Sequence, residues 1–157
     1  PRRGAFIAIE GCDRSGKSTQ VQRLQEVLDQ AGIDYEIFRY PDRSTPSGRI
    51  LDTYLKGEVQ LDDHALHLQF SANRWESCAK LRSVLAAGRT VICDRYLYSG
   101  IAYSAAKGLD RVWCRMPDVG LPRPDLTLFF DLPPEKAKDR GGYGDERYEQ
   151  LAFQQKV

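Results

Sequence analysis

Residues 11–19, GCDRSGKST, fit the spacing G-x-x-x-x-G-K-[ST], the pattern of a loop that wraps the phosphates of a nucleotide. The chemistry follows from residue type. Gly11 and Gly16 let successive backbone N–H groups turn toward an anion, and a helix opening near Lys17 aims the positive end of its dipole at the same place. Lys17 is long enough to reach β- and γ-phosphates, the Ser18 hydroxyl is a hard oxygen ligand for Mg2+, and Ser15 and Thr19 complete the loop. Asp94 ends the apolar run VIC, where a carboxylate either holds the waters of that ion or caps a following helix.

Three arginines stand in comparable places: Arg14 inside the loop, Arg43 in YPDRST and Arg95 in DRY. Converging, they would neutralise transferring phosphoryl groups; dispersed, they are ordinary solvated side chains. Phe70 and Arg74 lie four apart and so share one helix face. That pair is either an aromatic platform with a guanidinium for a planar base with a carbonyl edge, or core with a snorkelling arginine.

Such residues must be positioned by regular elements, and the chain predicts them. Apolar runs at Ala5–Ile9, Thr90–Cys93 and Leu126–Phe130, with a further one at Tyr35–Arg39, read as buried parallel strands. Between them, Lys17–Ala31 repeats Val21, Leu24, Val27 and Leu28 at helical spacing before Gly32, a helix-ending glycine. Asp62–Ala87 repeats Leu61, Ala65, Leu68, Ala72, Trp75 and Ala79, and reads as one long helix ended by Gly88. Strand and helix alternate, so the expected fold is α/β: a doubly wound parallel sheet with helices on both faces. Ligands of such sheets bind beyond the carboxyl ends of the strands, at the residues that follow Ile9, Arg39, Cys93 and Phe130. The stretch MPDVGLPRPD, 116–125, reads as a stiff extended lead-in to the last strand, and residues 1–157 form a single domain.

Bulk composition excludes other classes. A formal net charge of +1 leaves no large single-sign field, which argues against a sequence-independent grip on nucleic acid or an anionic membrane. Cys12, Cys78, Cys93 and Cys114 lack C-x-x-C spacing, so reduced thiols of an intracellular compartment are expected rather than disulfides or structural zinc. His64 and His67, three apart on the long helix, give two metal ligands without a third and read as a solvated or interface face. The apolar run before Glu10 is too short for a signal peptide, and no run reaches membrane-spanning length.

Taken together, DRSGKSTQ, YPDRST, FSANRWE, DRYLYSGIAYSAAKG, PDVGLPRPDL and RGGYGDERYE resemble the thymidylate kinase family of the eukaryotic type, over essentially the whole chain. FSANRWE and PDVGLPRPD carry the resemblance more specifically than the phosphate loop does. It implies a P-loop nucleoside monophosphate kinase that moves the γ-phosphoryl group of Mg-ATP to dTMP. By that resemblance Asp13 meets the deoxyribose 3′-hydroxyl, Arg14 stabilises the transferring group, and Arg43 and Arg95 clamp the acceptor phosphate, Arg95 also bridging to the donor. Phe70 stacks on thymine, Arg74 bonds its O4 edge, and Ser104 stands at the base. Tyr103 crowds the sugar 2′ position. Tyr40, Gly100, Tyr148 and Glu149 belong to the same acceptor site. A glycine-rich lid is implied at about residues 139–146, with Arg140 near the donor adenine. The resemblance further implies a homodimer paired through the long helix, and a last strand and closing helices that are missing from the sequence read here; the free cysteines and the lack of a targeting segment suit a cytoplasmic or also nuclear location.

Two rival readings remain at this stage. A deoxynucleoside kinase would need a carboxylate base near a neutral hydroxyl, a role open to Asp42. A nucleotide-binding fragment without turnover would bind ATP and release no ADP.

Overall fold

The computed structural model of the protein describes residues 2–138, 144 and 146–157. Its strands are β1 (Phe6–Glu10), β2 (Tyr35–Arg39), β3 (Thr90–Asp94) and β4 (Leu126–Phe129). All pair in parallel, in the order β2-β3-β1-β4. The helices are α1 (Lys17–Gln30), α2 (Pro46–Leu55), α3 (Asp63–Glu76), α4 (Cys78–Ala86), α5 (Leu97–Ala105), α6 (Arg111–Arg115), α7 (Pro134–Lys138) and α8 (Leu151–Gln154). The period-2 alternation of strand side chains divides β1 between two cores. Phe6 and Ala8 pack with Phe38, Val91, Cys93 and α4 residues Leu81, Val84 and Leu85. Ile7 and Ile9 pack on the other face with Ile92 and α1 residues Val21, Leu24 and Leu28. Helices therefore cover both faces, as the sequence predicts. α1 ends on Gly32 at φ 64, with Ile33 N–H donating to the Leu28 carbonyl, the left-handed closure that favours glycine.

The expected single helix over Asp62–Ala87 is two helices. The Asp62 carboxylate caps α3 by accepting from the His64 and Ala65 N–H groups, but the chain breaks at Ser77. That hydroxyl donates to the Arg74 carbonyl, and such a back-bond competes with the helical ladder and bends it. Tyr40 Oη also bonds Ser77 Oγ, so the break is tied to the end of β2. Apolar periodicity runs through a bend of this kind without registering it.

A third core, of Leu51, Tyr54, Leu55, Leu66 and Tyr148 with Phe70, Tyr103 and Phe153 at its margin, joins α2, α3, α5 and α8 above the carboxyl ends of the strands. β4 is an edge strand whose side chains are exposed, including Phe129. Of the expected lid, residues 139–143 and 145 lie outside the described residues, and Arg140 with them.

Candidate active site

Between β1 and α1 the backbone bends sharply. Gly11 has φ 146, and a Cβ there would stand 2.6 Å from the Phe130 carbonyl oxygen, so only glycine lets this turn lie against the end of the last strand. Gly16, at φ 97, precedes the first turn of α1. Among the described residues, Arg14 and Arg95 are the non-glycine positions held at positive φ, 58 and 65, and strain of this kind collects at functional sites.

One cavity of about 280 Å³ opens over these strand ends. It is lined by Asp13, Arg14, Lys17, Ser18, Tyr40, Arg43, Phe70, Arg74, Asp94, Arg95, Gly100, Tyr103, Ser104 and Tyr148, which brings together most of the residues singled out above. Glu149 is not in the lining but reaches it by accepting from Arg14 Nε at 3.0 Å. Ser15 is buried beneath the loop, and Thr19 faces outward on the first turn of α1.

The floor of the cavity is basic. Burial, reinforced by the Arg95 charge, pushes the Lys17 ammonium down to about 8. Its Nζ donates to the Cys12 carbonyl of its own loop. Arg95 is partly buried, donating to the Gly11 carbonyl at 2.9 Å, to Ser99 Oγ at 3.1 Å and to the Asp13 carboxylate. Arg43 divides its guanidinium between Asp52 at 2.7 Å and Glu146 at 2.6 Å. Ser18 Oγ lies 3.4 Å from Asp94 Oδ2. This hard-oxygen pair at the mouth of a phosphate loop fits Mg2+, which takes one or two protein oxygens and completes its octahedron with phosphate and water. Asp94 is no helix cap: Tyr96 stands between it and α5, and it is the Glu10 carboxylate that accepts from the Tyr96 and Ser99 N–H groups, at 2.9 and 3.3 Å.

The slot beside this floor is walled by Phe70 and Arg74. Arg74 is not a snorkelling side chain. It is 2% exposed, and it donates from Nε and Nη2 to Asp118 at 3.0 and 2.7 Å. Gly100 makes room for it: a Cβ there would sit 2.9 Å from Arg74 Nη2.

Several contributors were not legible in the sequence. Asp118 lies in MPDVGLPRPD, which reads as a stiff lead-in but also carries the carboxylate that aims Arg74. Arg39 lines the cavity and donates to Asp94 at 3.2 Å; its position at the end of β2 was the available signal. Gln154 is buried, donates to Asp13 Oδ2 at 2.7 Å and accepts from Asp13 N–H at 3.1 Å; nothing in its sequence context marks it. His67, expected on a solvated or interface face, is fully buried between α5 and α6. His64 is exposed, and no His, Cys, Asp or Glu cluster suited to a metal exists among the described residues. Asp42 is outside the cavity lining, and its carboxylate accepts from Ser44.

Comparison with known proteins agrees with this geometry. The thymidylate kinase family model matches residues 9–157. A thymidylate kinase of Arabidopsis thaliana is 54% identical over 99% of this chain and 59% of its own length. The human thymidylate kinase is 49% identical over 99% of this chain and 74% of its own. The structure of a thymidylate kinase from Candida albicans superposes with a TM-score of 0.89 at 45% identity, covering 98% of this chain and 74% of that one. The chain thus spans 59% to 74% of the length of these relatives. With a phosphate loop, a ring of arginines and an aromatic slot arranged over the same parallel sheet, this chain belongs to the thymidylate kinase family.

Proposed function

We propose that this chain transfers the γ-phosphoryl group of ATP to the 5′-phosphate of dTMP, giving dTDP and ADP. The observation that carries the reading is the meeting of Arg14, Lys17, Arg43 and Arg95 in one cavity beside the Phe70–Arg74 slot. A phosphate monoester has its second pKa near about 6, so the acceptor is largely dianionic at neutral pH and needs no base. The difficulty is to hold two polyanions in line, and fixed positive groups address it.

In this reading the loop of Gly11, Ser15, Gly16 and Thr19 binds the donor phosphates, Lys17 neutralises the β- and γ-phosphates, and Arg14 stabilises the charge of the transferring group. Ser18 and Asp94 would hold Mg2+, which when bound screens the donor oxygens. Arg43 and Arg95 bind the acceptor phosphate, Asp13 the 3′-hydroxyl, and Tyr103 excludes a 2′-hydroxyl. Phe70 and Arg74 receive the base with Ser104 and Gly100, while Tyr40, Tyr148 and Glu149 close the acceptor side. Arg140 belongs to the donor side. Two copies would pair through α3, whose Leu68 and Trp75 are exposed. No described helix is long and apolar enough to cross a membrane; a cytoplasmic, and also nuclear, location belongs to this proposal.

A coupled ADP-release assay with Mg-ATP against dTMP, dUMP, dCMP, UMP and thymidine tests it. Turnover confined to the thymine and uracil deoxynucleotides is expected. Turnover of thymidine but not dTMP would favour a nucleoside kinase, a reading weakened by the engagement of Asp42 with Ser44 away from the cavity.

A further inference from the structure

The base slot is bordered by a hydroxyl whose polarity is set from behind. Ser104 is buried to 8% exposure and still lines the cavity. Its Oγ lies 2.7 Å from Nδ1 of His67, a ring with no exposed surface. The other ring nitrogen, Nε2, lies 2.7 Å from the Cys114 carbonyl oxygen, which can only accept. A neutral imidazole has one proton, and the Cys114 carbonyl claims it for Nε2. Nδ1 is then a bare acceptor, and the Ser104 hydroxyl must donate to it. The Gly100 carbonyl also approaches the ring, but the contacts within hydrogen-bond geometry are those to Ser104 and Cys114. Burial holds His67 below its ordinary pKa, which keeps the ring neutral.

With its proton committed, Ser104 can offer only lone pairs to the slot. We propose that His67 is a positioning residue that fixes Ser104 as an acceptor, so that the slot selects bases with a ring N–H and rejects those with a bare ring nitrogen. Thymine and uracil carry N3–H, whereas cytosine presents an N3 lone pair that would face the Ser104 lone pairs. This inference rests on the acceptor reading above. It adds to Arg74, a pure donor, a second element of opposite polarity, so the slot reads donor and acceptor in a fixed order.

Two measurements test it independently. Nitrogen-15 NMR of the histidine side chains in the whole chain should show His67 protonated at Nε2 and bare at Nδ1; a proton on Nδ1 overturns the proposal without any variant. Calorimetric Kd values for dTMP and dCMP should then diverge less in His67→Gln, which retains a donor toward Cys114 and loses the Nδ1 acceptor. The dTMP preference should fall by up to about tenfold, the scale of one neutral hydrogen bond. Ser104→Ala should give a similar fall, and the double variant no further one. His67→Asn, with an acceptor near the Nδ1 position, should restore most of the preference. An unchanged dTMP-to-dCMP ratio in His67→Gln would sink the proposal. Absent dTMP turnover by the unaltered chain, with the Kd ratio and tautomer as expected, would instead overturn the kinase reading and leave this one standing.

Discussion

At the level of single residues, the charges in the cavity make two distinct predictions. Arg14 sits at φ 58 in the phosphate loop and donates to Glu149; under the proposed function its side chain acts on the donor. Arg14→Ala should lower kcat by about 10³-fold with little change in dTMP affinity, the signature of charge stabilised in the transition state; steady-state kinetics checks this. Lys17 differs because its free-state pKa of about 8 lies below the ordinary 10.5. A bound triphosphate restores the charged form, so at pH between those values nucleotide binding should take up a proton. Calorimetry in two buffers of different ionisation enthalpy measures it. For the ligand-free protein the sign is opposite in effect: the unfolded chain holds the extra proton, and stability rises from about pH 8 toward 10.5. The identities of Lys17, Arg14 and Arg95 were legible because loop spacing and strand-end position mark them. Gln154 and Asp118 were not, since a residue that acts through another leaves no spacing of its own.

Secondary-structure elements give Arg74 a structural place beside its proposed binding role. It stitches α3 to the 3-10 turn Met116–Asp118 while bordering a ligand slot. Arg74→Ala should therefore cost about 3–5 kcal/mol, because buried Asp118 loses its counter-charge and keeps the Ser71 hydroxyl as a donor, as well as weakening dTMP binding. Urea unfolding separates the two effects. The double variant Arg74→Met with Asp118→Leu should recover stability and not dTMP binding. Gly100 supplies a gentler perturbation from α5. In Gly100→Ala the new methyl would press on a guanidinium that Asp118 prevents from yielding, so KM for dTMP should rise while the circular dichroism spectrum stays unchanged. Strands and α1 were predictable from period and caps. The bend at Ser77 was not, because it arises from a hydroxyl bonding backward to Arg74 and sideways to Tyr40.

Across the whole molecule, the two strand-end loops after β1 and β2 are gathered by one segment, residues 146–154. Glu146 bonds Arg43, Glu149 bonds Arg14, and Gln154 bonds Asp13. Arg147 meanwhile fastens the segment to α2 and the turn after it, through the carbonyls of Tyr54 and Val59. The layered sheet was legible from alternating strands and helices, but this strap was not, for its contacts span 88 to 141 residues of sequence and carry no periodicity. Its consequence concerns what the incoming phosphate displaces. Arg43 already holds two carboxylates of its own chain, so the free cavity contains built-in counterions, and binding exchanges these rather than releasing ions to solution. The affinity for dTMP should accordingly change less with added salt than the charge of the ligand suggests. Glu146→Gln, by handing that place to mobile anions, should steepen the dependence, and Kd measured across about a tenfold range of ionic strength distinguishes the two.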